Sequence, residues 1–159
     1  MGRPIHAIIG VRHDGPSTWY VRRSSMMANY PNVWSLPSIQ YDPEAFADGG
    51  DLEHAAGLFS DLSDQRLGGV PIQVDSLLTS GSSDMNPMGV DVHLRLYRIS
   101  LGAEPVLEPS YYVDAEWMSP RRYEEASAGQ ACGLCLRLWS DFAWLSGITD
   151  RPFVARPAS

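Results

Sequence analysis

Three acidic residues in one segment are the first candidates for chemistry. Asp61 and Asp64 stand three positions apart, and Glu53 lies about two turns earlier in a stretch of helical periodicity. Residues three apart lie on the same side of a helix, so one turn can present two carboxylates to a divalent cation, which binds oxygen ligands. Acidic residues are also common on the solvated face of an amphipathic helix, so this simpler explanation stays open.

Two neighbouring arginines and three aromatic residues form a second candidate set. Arg22 and Arg23 close a predicted strand, and a guanidinium suits phosphate because its donors form a planar fork. Successive side chains of a strand point to opposite faces, so only one of the two can face a given cleft. Trp34, Tyr30 and Trp19 could stack on a flat ligand, although packing in the core or in a loop explains such residues equally well.

Four further ionisable residues carry weaker indications of a site. They are His54, His93, Asp84 and Glu116. The histidines could act in acid–base chemistry because their usual pKa lies near neutrality, and the two acids could supply a base from a loop or a late strand. A histidine without a fixed partner is more often structural or exposed.

Cys132 and Cys135 are the only cysteines of the chain, in the string Cys-Gly-Leu-Cys. A redox or metal site would need a thioredoxin-like context or two further ligands, and the sequence offers neither around this pair. We therefore expect small, buried helix residues with free thiols, which suits a reducing compartment.

The composition indicates one globular domain. The 159 residues are 44% hydrophobic and 19% charged, which is enough apolar material for one core. The net charge of -7 argues against a nucleic acid duplex as partner, but it is compatible with a phosphorylated small molecule held by a few arginines. No apolar run approaches the roughly 20 residues of a membrane span. The start lacks the apolar region of a signal peptide, so we expect a cytoplasmic protein.

The elements that must position these residues alternate between strands and helices. Strands are predicted at 5–12, 17–23, 70–78, 90–97 and 111–117, and helices at 51–66, 120–125 and 129–146. Irregular segments are predicted at 29–37, 42–50 and 79–89. The Gly15-Pro16 turn indicates a hairpin between the first two strands. Mixed strands around a central helix favour an α/β or α+β sandwich over a doubly wound parallel sheet.

The helix predicted at 51–66 has the clearest pattern. Asp51 suits its N-cap, and Gly68-Gly69 suit its end. Its apolar stripe comprises Leu52, Ala55, Ala56, Phe59 and Leu62. The last helix is predicted to bury Ala131, Leu134, Cys135, Leu138, Trp139, Phe142 and Leu145, and the tail beyond Thr149 is expected to be loose.

Several strings outside this helix carry a resemblance to a known family. Residues 20–24, Tyr-Val-Arg-Arg-Ser, and residues 33–37, Val-Trp-Ser-Leu-Pro, resemble the strand and loop that lead to the Nudix box of the Nudix hydrolase superfamily. Residues 114–120, Asp-Ala-Glu-Trp-Met-Ser-Pro, resemble its late strand before a short helix. The resemblance implies a Nudix-like α/β/α sandwich with a mixed β-sheet, with a single domain over 1–150 and a tail at 151–159.

The Nudix box itself departs from the family pattern G-x5-E-x7-R-E-U-x-E-E-x-G-U, where U is a bulky aliphatic residue. The best alignment sets residues 60–65, Ser-Asp-Leu-Ser-Asp-Gln, on R-E-U-x-E-E. Ser60 then replaces the arginine, Gln65 replaces the last glutamate, and Gly68 matches only after one inserted residue. Ser38-Ile39 stands where the family has Gly-Gly, which removes backbone freedom.

The resemblance implies a divergent Nudix-type hydrolase that cleaves a diphosphate linkage in a nucleotide-like or other phosphorylated small molecule. Mg²⁺ or Mn²⁺ would lie on Asp61 and Asp64 with help from Glu53, and these three acids are the implied catalytic residues. Arg22 or Arg23 would contact phosphate, and Trp34 would hold the leaving group.

The losses in the box support an alternative in which the Nudix fold persists without catalysis. The chain would then be a module that binds a small ligand or a protein partner. Metal-free chemistry in the same pocket is a third possibility, for which the sequence offers no nucleophile. A homodimer is a common outcome for domains of this size.

Overall fold

Two four-stranded sheets organise the chain, as seen in a computed structural model that describes residues 3–46, 51–84 and 89–154. The strands are β1 Ile5–Val11, β2 His13–Asp14, β3 Ser17–Arg23, β4 Trp34–Ser35, β5 Ser38–Gln40, β6 Ile72–Ser83, β7 Val92–Leu101 and β8 Tyr112–Met118. The helices are α1 Asp51–Leu62, α2 Pro120–Ala126 and α3 Leu134–Leu145, with a 3-10 turn at Pro43–Phe46 and a π-helical turn at Ser63–Leu67. The predictions for 47–50, 85–88 and 155–159 lie outside the described residues.

The first sheet is mixed and has the order β5-β1-β7-β6. β1 runs parallel to β7, from Ile5 opposite Val92 to Val11 opposite Arg98, whereas β5 and β6 pair antiparallel to their neighbours. In the second sheet β3 pairs antiparallel with β2, β4 and β8. The mixed sheet predicted from the resemblance is therefore confirmed.

Helices cover both faces of the first sheet. In β1, Ala7 and Ile9 pack in one core cluster with Trp139 of α3, whereas Ile8 packs in the other cluster with Phe59 of α1. This alternation follows from the period of two along a strand. The arrangement is an α/β/α sandwich, as predicted. No helix within the described ranges has the length and apolar character needed to cross a membrane.

The end of α1 explains the insertion in the box. After Leu62 the chain enters the π-helical turn, and the N–H groups of Gly68 and Gly69 both donate to the carbonyl of Ser63. A π-helical turn holds one residue more than an α-helical turn, so it takes up the inserted residue. Gly68 then ends the helix in the left-handed conformation with φ 79°.

The predicted hairpin and the predicted loop at 79–89 are partly wrong. β3 pairs with the two-residue β2, because the chain leaves the first sheet after Val11 and enters the second sheet. β6 continues to Ser83, because two register shifts keep it paired with β7. Gly81 allows α3 to pack closely there, since a Cβ on Gly81 would lie 2.7 Å from a methyl group of Leu138.

Two predicted helix faces also need correction. On α1, Leu52 and Ala56 are exposed, whereas Ala55, Phe59 and Leu62 are buried as predicted. The last helix begins at Leu134, since Gly129 adopts a left-handed conformation and Gly133 is extended, so Ala131 precedes the helix and is exposed. Leu145 at its end is exposed, and Leu136, Trp139, Ser140 and Ala143 are its buried residues.

The first residues of the predicted tail pack on α3. Phe153 and Val154 are buried, and their N–H groups donate to the Ser140 hydroxyl at 2.8 and 3.0 Å. Pairing the hydroxyl with two buried backbone donors satisfies groups that would be costly to leave without partners. The chain is therefore ordered against α3 as far as Val154.

Two glycines of the α1 region should respond in opposite ways to alanine. Gly68→Ala forces a left-handed alanine and puts its Cβ 2.9 Å from Val106 Cβ, so we expect the free energy of unfolding to fall by about 1–3 kcal/mol. Gly57 lies inside α1 with no atom near its missing Cβ, so Gly57→Ala should raise that free energy by about 0.5–1 kcal/mol. Urea unfolding followed by tryptophan fluorescence measures both, and equal effects would contradict this description of the helix end.

Candidate functional site

Arg23 lies at the end of β3 and is held by the loop that follows. The register between β3 and β8 shifts between Arg22 and Arg23, which marks a bulge. The Arg23 Nη2 and Nε donate to the carbonyl of Asn29 at 2.7 and 3.1 Å, and Nε also reaches the carbonyl of Tyr30 at 3.1 Å. These bonds fix the orientation of the guanidinium.

The loop after β3 takes its shape from the same arginine. The Arg23 N–H donates to the carbonyl of Val33, and the Asn32 N–H donates to the carbonyl of Arg23. Tyr30 and Asn32 adopt left-handed conformations with φ 51° and 61°, which non-glycine residues rarely do unless their surroundings impose it. Arg23 thus positions Tyr30 through both its backbone and its side chain.

An apolar cavity of about 140 Å³ opens beside Arg23 and Tyr30. Its other walls come from the first sheet and from the start of α3, including Ala7, Ile9, Val92, Leu94, Ser38 and Cys135. Arg22 does not line the cavity, consistent with the alternation of side chains along β3. A cavity of roughly 150 Å³ holds a benzene molecule, so this one suits a single small apolar group and is too small for a nucleotide.

Arg66 in the π-helical turn does not line the cavity but contacts two tyrosines beside β8. Its Nη1 donates to the Tyr112 hydroxyl at 3.1 Å, and its guanidinium lies 4.2 Å above the centre of the Tyr111 ring. The Tyr112 hydroxyl also accepts the Ser38 N–H at 3.1 Å, and Ser38 lines the cavity. The Arg66 Nε is buried and has no hydrogen-bond partner among the residues that the structure describes.

The three predicted metal ligands lie on the exposed side of α1 and the turn after it. Glu53, Asp61 and Asp64 are exposed, and none of them lines the cavity beside Arg23. Asp61 is eight positions after Glu53, which is roughly 12 Å along a helix axis. Within the part of the chain that the structure describes, no three His, Cys, Asp or Glu side chains come close enough to hold a metal ion. The structure therefore does not bring Glu53 together with the other two acids.

The predicted aromatic residues separate into core and cavity. Trp34 and Trp19 are buried in the two core clusters, and Trp34 does not line the cavity, whereas Tyr30 does. Gln130 fixes β4 by accepting the Trp34 N–H at 2.9 Å and donating to the Trp34 carbonyl at 3.0 Å. The ring of Trp34 thus supports the fold around the cavity.

The weaker candidates have structural surroundings. His93 stacks on His6 with ring centres 4.7 Å apart, and His54 is half-buried on α1. Arg122 donates to Glu116 at 2.7 Å, which holds the pKa of that carboxyl below its usual value and makes it a poor proton acceptor. Asp84 is exposed just after β6.

Two further sets of polar contacts were not foreseen. Arg66 and Tyr112 meet only because β8 packs beside the end of α1, and nothing in their spacing along the chain indicates it. Asp51, predicted as an N-cap, instead accepts hydrogen bonds from Arg95 and from the Tyr97 hydroxyl. Burial is the main cause that raises the pKa of Tyr97 to about 12.

Comparison with known proteins decides the fold. No protein-family model and no curated protein sequence matches the chain. Among solved structures, a Nudix hydrolase from Nitrosomonas europaea matches with a TM-score of 0.67 at 12% identity, covering 98% of this chain and 98% of that chain. The chain has the Nudix fold.

Other structures with the Nudix fold match over most of this chain. A MutT Nudix hydrolase from Burkholderia pseudomallei has a TM-score of 0.61 at 16% identity over 86% of this chain and 95% of its own. A UDP-X diphosphatase has a TM-score of 0.55 at 12% identity over 77% of this chain and 54% of its own. The resemblance stated from the sequence is confirmed for the fold, because identities this low establish architecture and not activity.

The two thiols should react slowly at neutral pH. Both cysteines are free, although Cys132 precedes α3 and only Cys135 is helical. Burial raises the pKa of the Cys132 thiol to about 11 and also raises that of Cys135.

Thiolate is the reactive form, so alkylation by iodoacetamide at pH 8 should be about 100-fold or more slower than for free cysteine. The rate should then rise about tenfold per pH unit up to pH 10. Protein in denaturant is the control, and rapid labelling of the folded protein would contradict the prediction.

Proposed function

We propose that this chain is a Nudix-type hydrolase that cleaves a diphosphate linkage in a phosphorylated small molecule. The observation that carries the proposal is an oriented guanidinium, that of Arg23, in the lining of an apolar cavity within a Nudix fold. Two structurally similar proteins support the proposal by their names, a UDP-X diphosphatase and a MutT Nudix hydrolase.

Arg23 would orient the phosphorylated end of the substrate. Burial lowers the pKa of its guanidinium, yet an arginine remains cationic at neutral pH. Its bonds to Asn29 and Tyr30 use Nε and Nη2, which leaves Nη1 for a ligand. Because the guanidinium is already fixed, little side-chain entropy is lost when an anion binds. The cavity beside it would accept one small apolar group of the same molecule.

Asp61 and Asp64 are the residues that would contact a divalent metal. Mg²⁺ is commonly held by one or two carboxylates together with substrate phosphates and water, so two exposed acids close in sequence fit a metal that substrate helps to hold. They do not form a closed site for a resident ion, and the position of Glu53 does not suit a third ligand. When bound, Mg²⁺ or Mn²⁺ would neutralise phosphate charge and activate water.

A second candidate function is a ligand-binding module with the Nudix fold and no hydrolysis. One observation favours it: among the described residues, no group of three metal-ligating side chains exists. Gln65 and Ser60 replace charged residues of the family pattern in the same segment. Under this alternative the Arg23 cavity would bind a phosphorylated molecule without changing it.

Substitution of the two acids separates the candidates. We expect Asp61→Asn and Asp64→Asn each to lower kcat/KM by about 100-fold or more in Mg²⁺ or Mn²⁺, because a metal-contacting carboxylate is lost. Glu125→Gln on the exposed side of α2 is the matched control and should leave kcat/KM unchanged.

The measurement is phosphate or nucleotide release from a panel of nucleoside diphosphate conjugates, with Mg²⁺ and Mn²⁺ titrated by calorimetry. Absence of turnover across the panel in a folded protein, with no metal binding at millimolar ion in the presence of these substrates, would reject hydrolysis and leave the binding module.

A further inference from the structure

Arg23 and Arg66 are two partly buried cations without a carboxylate partner. Four ion pairs exist among the described residues, and they involve Arg95, Arg121, Arg122 and Arg151. Arg23 bonds to backbone carbonyls, and Arg66 bonds to a tyrosine hydroxyl. A buried charge is costly unless a charge of opposite sign compensates it, so this arrangement calls for an anion that the described residues do not provide.

Tyr112 connects Arg66, which does not itself line the cavity, to the cavity wall that includes Arg23. Arg23 and Ser38 both line the cavity, and Ser38 is joined to Arg66 through the Tyr112 hydroxyl, with two distances of 3.1 Å. The charges of the two arginines interact, since Arg66 contributes to lowering the pKa of Arg23 after the larger effect of burial. The two positive charges repel each other, and an anion bound between Arg23 and Arg66 would offset that repulsion.

Surrounding groups hold Arg66 in place for such a role. Its guanidinium is stacked on Tyr111, and Tyr112, which is completely buried, fixes its Nη1. Its Nε is buried, so any contact with a ligand would come from the Nη atoms, of which Nη1 already donates to Tyr112. A fork of donors in a fixed plane is the arrangement that recognises phosphate oxygens.

The position of Arg66 also bears on the metal question. It lies in the turn after α1, two residues beyond Asp64 and directly after Gln65, which stands at the last glutamate of the family pattern. A permanent positive charge there attracts an anion directly. The chain thus supplies in arginine some of the positive charge that a metal ion would otherwise bring.

We propose that Arg23 and Arg66 form an anion site that binds a phosphate or diphosphate group directly, without a divalent cation. This deepens the proposed function, from which it takes the class of ligand. Arg23 contacts the anion from the lining of the cavity, and Arg66 contacts it from the α1 side. Pyrophosphate should bind more tightly than phosphate because it can reach both guanidiniums.

Calorimetry with inorganic pyrophosphate in excess EDTA tests the anion site. We expect the unmodified protein to bind, and Arg23→Gln and Arg66→Gln each to weaken binding by about 10-fold or more, as expected for a lost charge-assisted contact. Arg121→Gln, which removes an exposed arginine of α2, is the control and should bind within about twofold of the unmodified protein.

Folding measurements and a second variant distinguish a purely structural role of Arg66 from direct contact with the anion. Circular dichroism and thermal unfolding establish that each variant folds, and Arg66→Lys, which keeps the charge but loses the fork, replaces Arg66→Gln if that variant does not fold. An intermediate affinity in Arg66→Lys, together with a weaker dependence of affinity on salt in Arg66→Gln, supports direct contact. Unchanged pyrophosphate affinity in folded Arg23 and Arg66 variants overturns the proposal.

The outcomes also separate this inference from the proposed hydrolysis. Pyrophosphate binding that appears only with Mg²⁺ and disappears in Asp61→Asn overturns the arginine site, as does the absence of binding under both conditions. Turnover with metal but no binding in EDTA leaves the hydrolase standing without this site. Binding in EDTA without any turnover supports the arginine site and favours the binding module.

Discussion

Parallel pairing of β1 with β7 is the constraint on which the rest of the structure depends. Parallel neighbours cannot be joined by a tight turn, so a long connection, residues 12–91, runs from β1 to β7. That connection contains three strands of the second sheet, α1, and the two edge strands of the first sheet, β5 and β6. Because α1 and α3 cover the two faces, β1 has apolar residues or glycine at every position from Ala7 to Val11.

Strong local patterns made part of this fold predictable from the sequence. α1 and β7 were foreseen because a stripe of helical spacing in α1 and the alternation of apolar and polar residues in β7 depend only on neighbouring residues. β4 and β5 were missed because strands of two or three residues show no period and exist only through pairing with distant partners. The continuation of β6 past residue 78 was missed for the same reason, since its polar residues resemble a loop until β7 pairs with them.

The candidate site was less predictable than the fold because it depends on contacts between elements that are distant in the sequence. Residue types were sufficient to select Arg23 as a candidate. The partners that fix its side chain are backbone carbonyls of a loop in which two residues adopt the left-handed conformation, and the sequence does not reveal them. Arg66 required knowledge that Tyr112 of β8 lies beside the end of α1. The fold itself rests on buried apolar positions such as Phe59 and Leu62, so it tolerates loss of the charged residues that define the family's chemistry.

The π-helical turn at 63–67 has a consequence for how this segment can vary. In a regular helix one extra residue rotates everything beyond it by about 100°. A wide turn confines that rotation to a few positions, so the chain leaves Gly68 in the direction it would otherwise have taken. If the π-helical turn formed at a different position along the helix, a different side chain would point in a given direction at the helix end, and no strand would have to move. A lineage could in this way alternate between negative and positive groups at one spot while its scaffold stays the same.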